Sequence, residues 1–164
     1  GQILSVDTGV LLDGWYGDAA RTFIVGEKAG KRVRELVQAT LEALLEAVEV
    51  MRPGRYLSDI GHTVQRYVEA RGFSVVRDLV GHGIGRELHE EPQVPNFGDG
   101  GKGLKLRPGL VLAVEPMVNM GTHRVRVLND GWTVVTADGK PSAHFEHTIA
   151  VTENGARILT PDPE

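Results

Sequence analysis

The sequence predicts an α+β protein, with helices packed on one side of an antiparallel sheet. Two observations lead there. The element order is a hairpin, then two adjacent helices, then many short strands. The later strands are separated by hairpin-type turns at "NDG", "ADG" and "ENG".

The first strand is read over 2–10, "QILSVDTGV". Leu4, Val6 and Val10 fall on one face, Ser5 and Asp7 on the other. "LDGWYG" is a turn-rich break, and "DAARTFIVG" reads as the returning strand. A two-residue turn at Asp13-Gly14 places Asp7 opposite Ala20, with Asp18 two residues along on the same face. The first helix is read over 30–51, where Val33, Leu36, Val37, Leu41, Leu44, Leu45 and Val48 recur at helical spacing. The second is read over 58–71, with Ser58 as N-cap and Gly72 as its C-terminal stop. "FSVV" begins a strand, and 81–109 is rich in Gly and Pro. "GLVLAVEPMV" (109–118) reads as one buried strand, and 123–155 as a β-meander.

Composition narrows the function. The 164 residues suffice for one domain with its own core. A net charge of −4 argues against a nucleic-acid backbone as the specific partner. The absence of cysteine excludes disulfides and thiolate metal sites, and suits a reducing cytoplasm. No apolar run approaches the roughly 18 residues of a membrane span. The opening "GQILSVD" enters a strand almost at once and lacks Met, which is the expectation for a fragment.

The informative feature is a set of charged residues inside apolar strands: Asp7, Asp18, Glu115 and Glu146. Each has a commonplace reading alone. An Asp beside a hairpin turn is usually a turn or edge residue, a strand Glu usually faces solvent, and a lone His is usually structural. His62 and His123 receive only that last reading. The four acids together with His82 need a common explanation, because buried carboxylates are costly unless paired or metal-bound. Asp7 and Asp18 on one face repel unless a cation lies between them. Five residues with up to nine donor atoms exceed the needs of one small ion. Two ions sharing carboxylates fit better, and the imidazole favours Mn, Co, Fe(II) or Zn over Ca or Mg. Paired ions of this kind activate a water for hydrolysis and clamp an oxyanion.

"GHGIGRELHEEPQVPN" (81–96) sharpens this. "GHGIG" lacks the spacing of a dinucleotide fingerprint and the Lys-Ser/Thr of a phosphate loop. "HEEP" is not a zinc-protease helix, since Gln93 stands at the second His position and Pro92 would break the helix. The glycines around His82 instead allow backbone and substrate to come close.

In order, "SVDTG…YGDAARTF", "GHGIGRELHEEPQVPN", "AVEPMVN", "DGWTV" and "FEHTIAVTENG" strongly resemble the type I methionine aminopeptidases over essentially the whole chain. The five-residue set is shared with other pita-bread peptidases, including prolidase and aminopeptidase P. The resemblance implies the pita-bread (creatinase/aminopeptidase) fold, a curved antiparallel sheet with helices on its outer face. It implies a single catalytic domain over 1–164, holding the end of the first half-repeat and the complete second one. It also implies two divalent metal ions and removal of the initiator Met from nascent proteins when the second residue is small. Asp7 would then bind one metal, Asp18 and Glu146 would bridge both, and His82 and Glu115 would hold the other. Glu115 would also act as the base for the attacking water. His89 would touch the substrate peptide and help stabilise the tetrahedral intermediate. Trp132 and Met117 would lie near the methionine pocket. A nascent-chain N-terminus would be the substrate partner, in the cytoplasm, with the ribosome compatible with the activity.

The family's N-terminal part, with a further catalytic histidine and much of the methionine pocket, is not found in these residues. An N-terminally truncated chain is therefore expected, with an apolar surface left exposed or covered by another chain. The isolated chain would hold all five ligand positions but not the complete site. Leu88 stands where many relatives carry an aromatic, which puts the pocket shape in doubt. His144 shares the Glu146 face, as a support for the site or a cleft residue. An Xaa-Pro hydrolase of the prolidase type and a non-catalytic binding module on the same fold are the competing readings.

Overall fold

In the computed structural model, which describes residues 1–161, strand β1 (Ile3–Leu12) pairs antiparallel with β2 (Trp15–Ile24). The last three residues of the domain expected over 1–164 lie outside the described residues. The turn is Asp13-Gly14, with φ of 50° and 79°. Two successive left-handed residues match the right-handed twist of the strands they join. The register puts Asp7 opposite Ala20 and Asp18 opposite Gly9, as the pattern predicts, although both strands run closer to the turn than expected.

Helix α1 (Lys31–Val50) buries Leu36, Ala39, Thr40, Ala43, Leu44 and Ala47. These positions form one stripe, and its three alanines let neighbouring elements approach closely. Helix α2 (Leu57–Glu69) packs on α1 and buries Ile60, Val64 and Val68. Ser58 is not its N-cap. The Asp59 carboxylate accepts the Tyr56 amide at 2.9 Å, while the Ser58 hydroxyl donates to the Lys102 carbonyl at 2.7 Å. At the other end the Phe73 amide returns to the Val68 carbonyl past Gly72, closing the helix where expected.

The remaining strands are β3 (Ser74–Val75), β4 (Gly81–Gly83), β5 (Glu90–Val94), β6 (Val111–Val114), β7 (Met117–Asn119), β8 (Val125–Val127), β9 (Val134–Thr136), β10 (Ser142–His144), β11 (His147–Thr152) and β12 (Gly155–Ile158). They form a five-stranded sheet in the order β12-β11-β6-β4-β5, a three-stranded sheet β10-β7-β3, and the separate hairpin β8-β9. The single strand read over 109–118 is therefore two strands, interrupted at Glu115-Pro116. The expected meander is likewise divided among three sheets. Pro116 has no amide hydrogen to continue a ladder, so β6 ends there and β7 enters the other sheet. The neighbouring strand breaks at the same level, between β10 and β11, at Phe145-Glu146. The apolar core lies between these sheets and the helices, with Leu36, Leu44, Met51, Ile60, Leu112 and Ile149 fully buried.

On the hairpin, Leu4, Val6, Val10, Leu12, Trp15 and Phe23 share one face, and each is 44–70% exposed. Asp7, Asp18 and Ala20 lie on the opposite face, toward the sheets.

Candidate metal centre

The two strand breaks place the acids. Glu115 and Glu146 stand where β6 and β11 leave one sheet for the other, so neither side chain follows the regular alternation of a strand. Strand β4 brings His82 between β5 and β6. A Cβ on Gly81 would meet the Ala113 carbonyl oxygen at 2.3 Å, and one on Gly83 would meet the Glu91 carbonyl oxygen at 2.3 Å. The glycines beside His82 are thus needed for close backbone approach, as the sequence reading proposes.

Ligand-type atoms of Asp18, His82 and Glu146 all lie within 4.8 Å of one another. The three residues are nearly inaccessible, Glu146 being only 2% exposed. His82 Nε2 lies 3.9 Å from Asp18 Oδ2 and 3.4 Å from Glu115 Oε1. His82 Nδ1 lies 2.9 Å from the Gly83 carbonyl oxygen, to which it donates. With Nδ1 engaged as donor, Nε2 is the ring nitrogen left to face the carboxylates, the arrangement of a metal-binding imidazole. Glu115 is flanked by a second imidazole, with His144 Nε2 3.5 Å from its Oε2.

The charges are mutually unfavourable without a cation. Burial, then the Glu115, Asp18 and Asp7 carboxylates, pushes the Glu146 carboxyl up to about 9. Burial, then Asp7, also raises Asp18, against the lowering effect of His82. Glu146 Oε1 is buried without a hydrogen-bond partner. An orphaned Glu146 oxygen beside three further carboxylates and His82 Nε2 is a donor set suited to divalent cations. The residues present therefore fit the expected metals.

An open cleft of about 770 Å³ adjoins the acids, and Asp7, His82, His89, Glu115, Met117, Trp132 and His144 all reach it. His89 stacks edge-on against His82, with ring centroids 4.4 Å apart. The loop before it is tied to the hairpin: the Tyr16 amide donates to the Gly85 carbonyl at 2.8 Å, and the Arg86 guanidinium lies over the Trp15 ring. Leu88 rests against Gly9 of β1. Trp132 is 87% exposed at the β8–β9 turn, where Asp130 accepts its amide. Of the eight residues singled out in the sequence, Asp7, His82, His89, Glu115, Met117 and Trp132 line this cleft, and Asp18 and Glu146 lie beside His82.

Sequence reasoning passed over Asn96. It is fully buried and its Nδ2 donates to the Glu115 carbonyl at 3.0 Å, bracing the break from which Glu115 projects. No local pattern marks it: Asn96 follows the largely polar strand "EEPQV" and leads into the glycine-rich "FGDGG", where an amide side chain reads as a turn residue.

A profile of metallopeptidase family M24 matches residues 1–153. A methionine aminopeptidase of Clostridium perfringens is 56% identical over 160 residues, covering 98% of this chain and 64% of that protein. The crystal structure of a Thermotoga maritima methionine aminopeptidase superimposes with a TM-score of 0.95 at 56% identity, over 98% of this chain and 64% of that one. The Pyrococcus horikoshii prolidase shares the fold more distantly, at TM-score 0.76 and 25% identity, over 99% of this chain and 41% of its own. The chain thus spans just under two thirds of the length of the methionine aminopeptidases it matches.

Proposed function

The chain belongs to metallopeptidase family M24, and from that membership we propose that it acts as a methionine aminopeptidase, removing the initiator methionine from nascent proteins whose second residue is small. One observation carries the reading. Asp18, His82 and Glu146 converge within 4.8 Å beside Asp7 and Glu115, in a chain 56% identical to a protein named methionine aminopeptidase.

In this reading residues 1–164 are a single catalytic domain, the end of one half-repeat followed by a second. Asp7 would hold one divalent ion, His82 and Glu115 another, and Asp18 and Glu146 would contribute to both. Co, Mn, Fe(II) or Zn suits such a set. When bound, the ions supply the positive charge that activates water and stabilises an oxyanion. Glu115 takes the proton of the attacking water at a carboxylate oxygen, and the His144 imidazole, with Nε2 3.5 Å from its Oε2, keeps that carboxylate oriented. His89 donates to the substrate peptide and stabilises the tetrahedral intermediate. Met117 and Trp132 wall the methionine side chain. The substrate is a nascent-chain N-terminus, the place of action the cytoplasm, and the ribosome a partner such an activity would meet. No described helix is long and apolar enough to cross a membrane.

The test is peptide hydrolysis by the Mn- or Co-loaded protein. Release of Met from Met-Ala-Ser is expected. Preferential cleavage of Xaa-Pro peptides would move the assignment to the prolidase type. Absence of Mn or Co binding by calorimetry would favour a non-catalytic binding module.

A further inference from the structure

Strand β2 meets β10 and β11 through an unusual seam. The Glu146 amide donates directly to the Ala20 carbonyl at 2.9 Å. On either side of that bond a threonine hydroxyl replaces the backbone partner. Thr148 Oγ1 accepts the Asp18 amide at 2.8 Å and donates to the Asp18 carbonyl at 2.8 Å. Thr22 Oγ1 accepts the His144 amide at 2.8 Å and donates to the His144 carbonyl at 2.7 Å. Thr148 of β11 thus grips both backbone groups of Asp18 on β2, and Thr22 of β2 grips both backbone groups of His144 on β10. Both threonines are buried, Thr148 to 2% exposure and Thr22 to 5%.

The hydroxyl inventory closes. A threonine has one proton and two lone pairs. Thr148 uses its proton on the Asp18 carbonyl and a lone pair on the Asp18 amide. Thr22 does the same at His144, and its second lone pair faces Ser5 Oγ at 2.8 Å, which must then be the donor. An inserted hydroxyl holds two backbones further apart than a direct ladder bond. The direct bond at Ala20–Glu146 is therefore flanked by two spacers. Between these spacers Asp18 and Glu146 face each other, and His144 faces Glu115.

We propose that Thr148 and Thr22 are positioning residues of the metal site, their hydroxyls holding β2 at the separation from β10 and β11 at which the carboxylates can share metal. The inference rests on the metal-site reading above. It assigns to two residues outside the ligand set the task of setting metal affinity, in addition to any contribution to stability.

Valine keeps the branched shape of threonine and removes the hydroxyl, whereas serine keeps the hydroxyl. Titration calorimetry with Mn(II), the visible absorption spectrum of the Co(II) form, and thermal unfolding of the metal-free protein should be measured for Thr148→Val, Thr148→Ser, Thr22→Val and Thr22→Ser. Both valine variants should bind Mn(II) about 10–100-fold more weakly and show an altered Co(II) spectrum. Both serine variants should recover wild-type affinity and spectrum. Thr40→Val is the control: Thr40 is fully buried and donates to the Leu36 carbonyl within α1, away from the seam. It should lose stability with the Co(II) spectrum unchanged. Valine variants that lose only stability, as the control does, would overturn the proposal. So would serine variants that fail to restore affinity, a comparison that holds even if a valine variant does not fold. Wild-type protein that binds neither ion would instead overturn the metal-site reading itself, and the positioning role with it.

Discussion

Glu115 and Glu146 stand at the same level of two adjacent strands, each at the point where its strand leaves the five-stranded sheet for the three-stranded one. The coincidence has a structural cause. Val114 pairs with His147 and Met117 with His144, so the four intervening residues form one shared gap in the ladder. Within that gap the carboxylates escape the in-and-out alternation of a strand. Both can then turn toward His82.

The cost of that arrangement predicts the first result. The Glu146 carboxyl sits at about 9 in the folded protein, against 4.5 for the ordinary group, because burial and three neighbouring carboxylates disfavour its charge. A group with a raised folded pKa favours folding when protonated. Its contribution is complete below 4.5 and is lost as pH rises toward 9. The metal-free protein should therefore lose stability across that window. Glu146→Gln should show a shallower loss, and the two melting temperatures should diverge progressively from pH 5 to pH 9 in the presence of chelator. Parallel pH profiles would contradict the assigned cause. The same variant should bind Mn(II) or Co(II) at least tenfold more weakly.

The two histidines of "GHGIGRELHEEP" should separate cleanly. His82→Ala removes the only imidazole nitrogen that lies within 4.8 Å of Asp18 and Glu146 among the described residues. It should abolish activity and weaken metal binding in calorimetry. His89 touches His82 edge-on and lies outside that cluster. His89→Ala should lower turnover by about 10²–10³-fold, the range for loss of a donor to a developing oxyanion, with metal affinity near wild type. Loss of metal in the His89 variant would count against its role.

Much of this was legible in the sequence, for definite reasons. The hairpin register followed from a two-residue turn whose Asp-Gly pair admits left-handed backbone, which fixed Asp7 opposite Ala20. Helix α1 followed from its apolar period. The strand breaks did not follow. "GLVLAVEPMV" reads as continuous apolar strand, and only its partner "AHFEHTIAV", breaking at the same level, shows that both cross between sheets. Ser58 had the residue type of an N-cap, but its hydroxyl is taken by the loop at Lys102. Such pairings are decided by segments 44 residues apart, beyond the reach of local pattern. The threonines of the β2 seam were invisible for the same reason.

Asn96 offers a test of how Glu115 is held. Its amide nitrogen donates to the Glu115 carbonyl, and its Oδ1 is buried without a partner. Asn96→Ala leaves that carbonyl unsatisfied at the break and should destabilise the fold by about 1–3 kcal/mol. Because the displaced backbone carries the proposed base, kcat should fall more than KM rises. A stability loss with unchanged kcat would confine Asn96 to the fold.

Trp132 should behave in the opposite way. At 87% exposure its indole contributes little burial, so Trp132→Ala should change stability by no more than about 0.5 kcal/mol. If its ring walls the methionine side chain together with Met117, its loss should raise KM for Met-Ala-Ser severalfold with a smaller effect on kcat. A binding signal is also available, since Trp15 and Trp132 are the only tryptophans. Trp15 lies under Arg86, on the exposed outer face of the hairpin. A methionine side chain packing on Trp132 would withdraw it from water and shift the protein's emission to shorter wavelength. The Trp132→Ala protein should not show this shift, and Trp15→Phe should retain it. An unchanged shift in the Trp132 variant would place the methionine elsewhere.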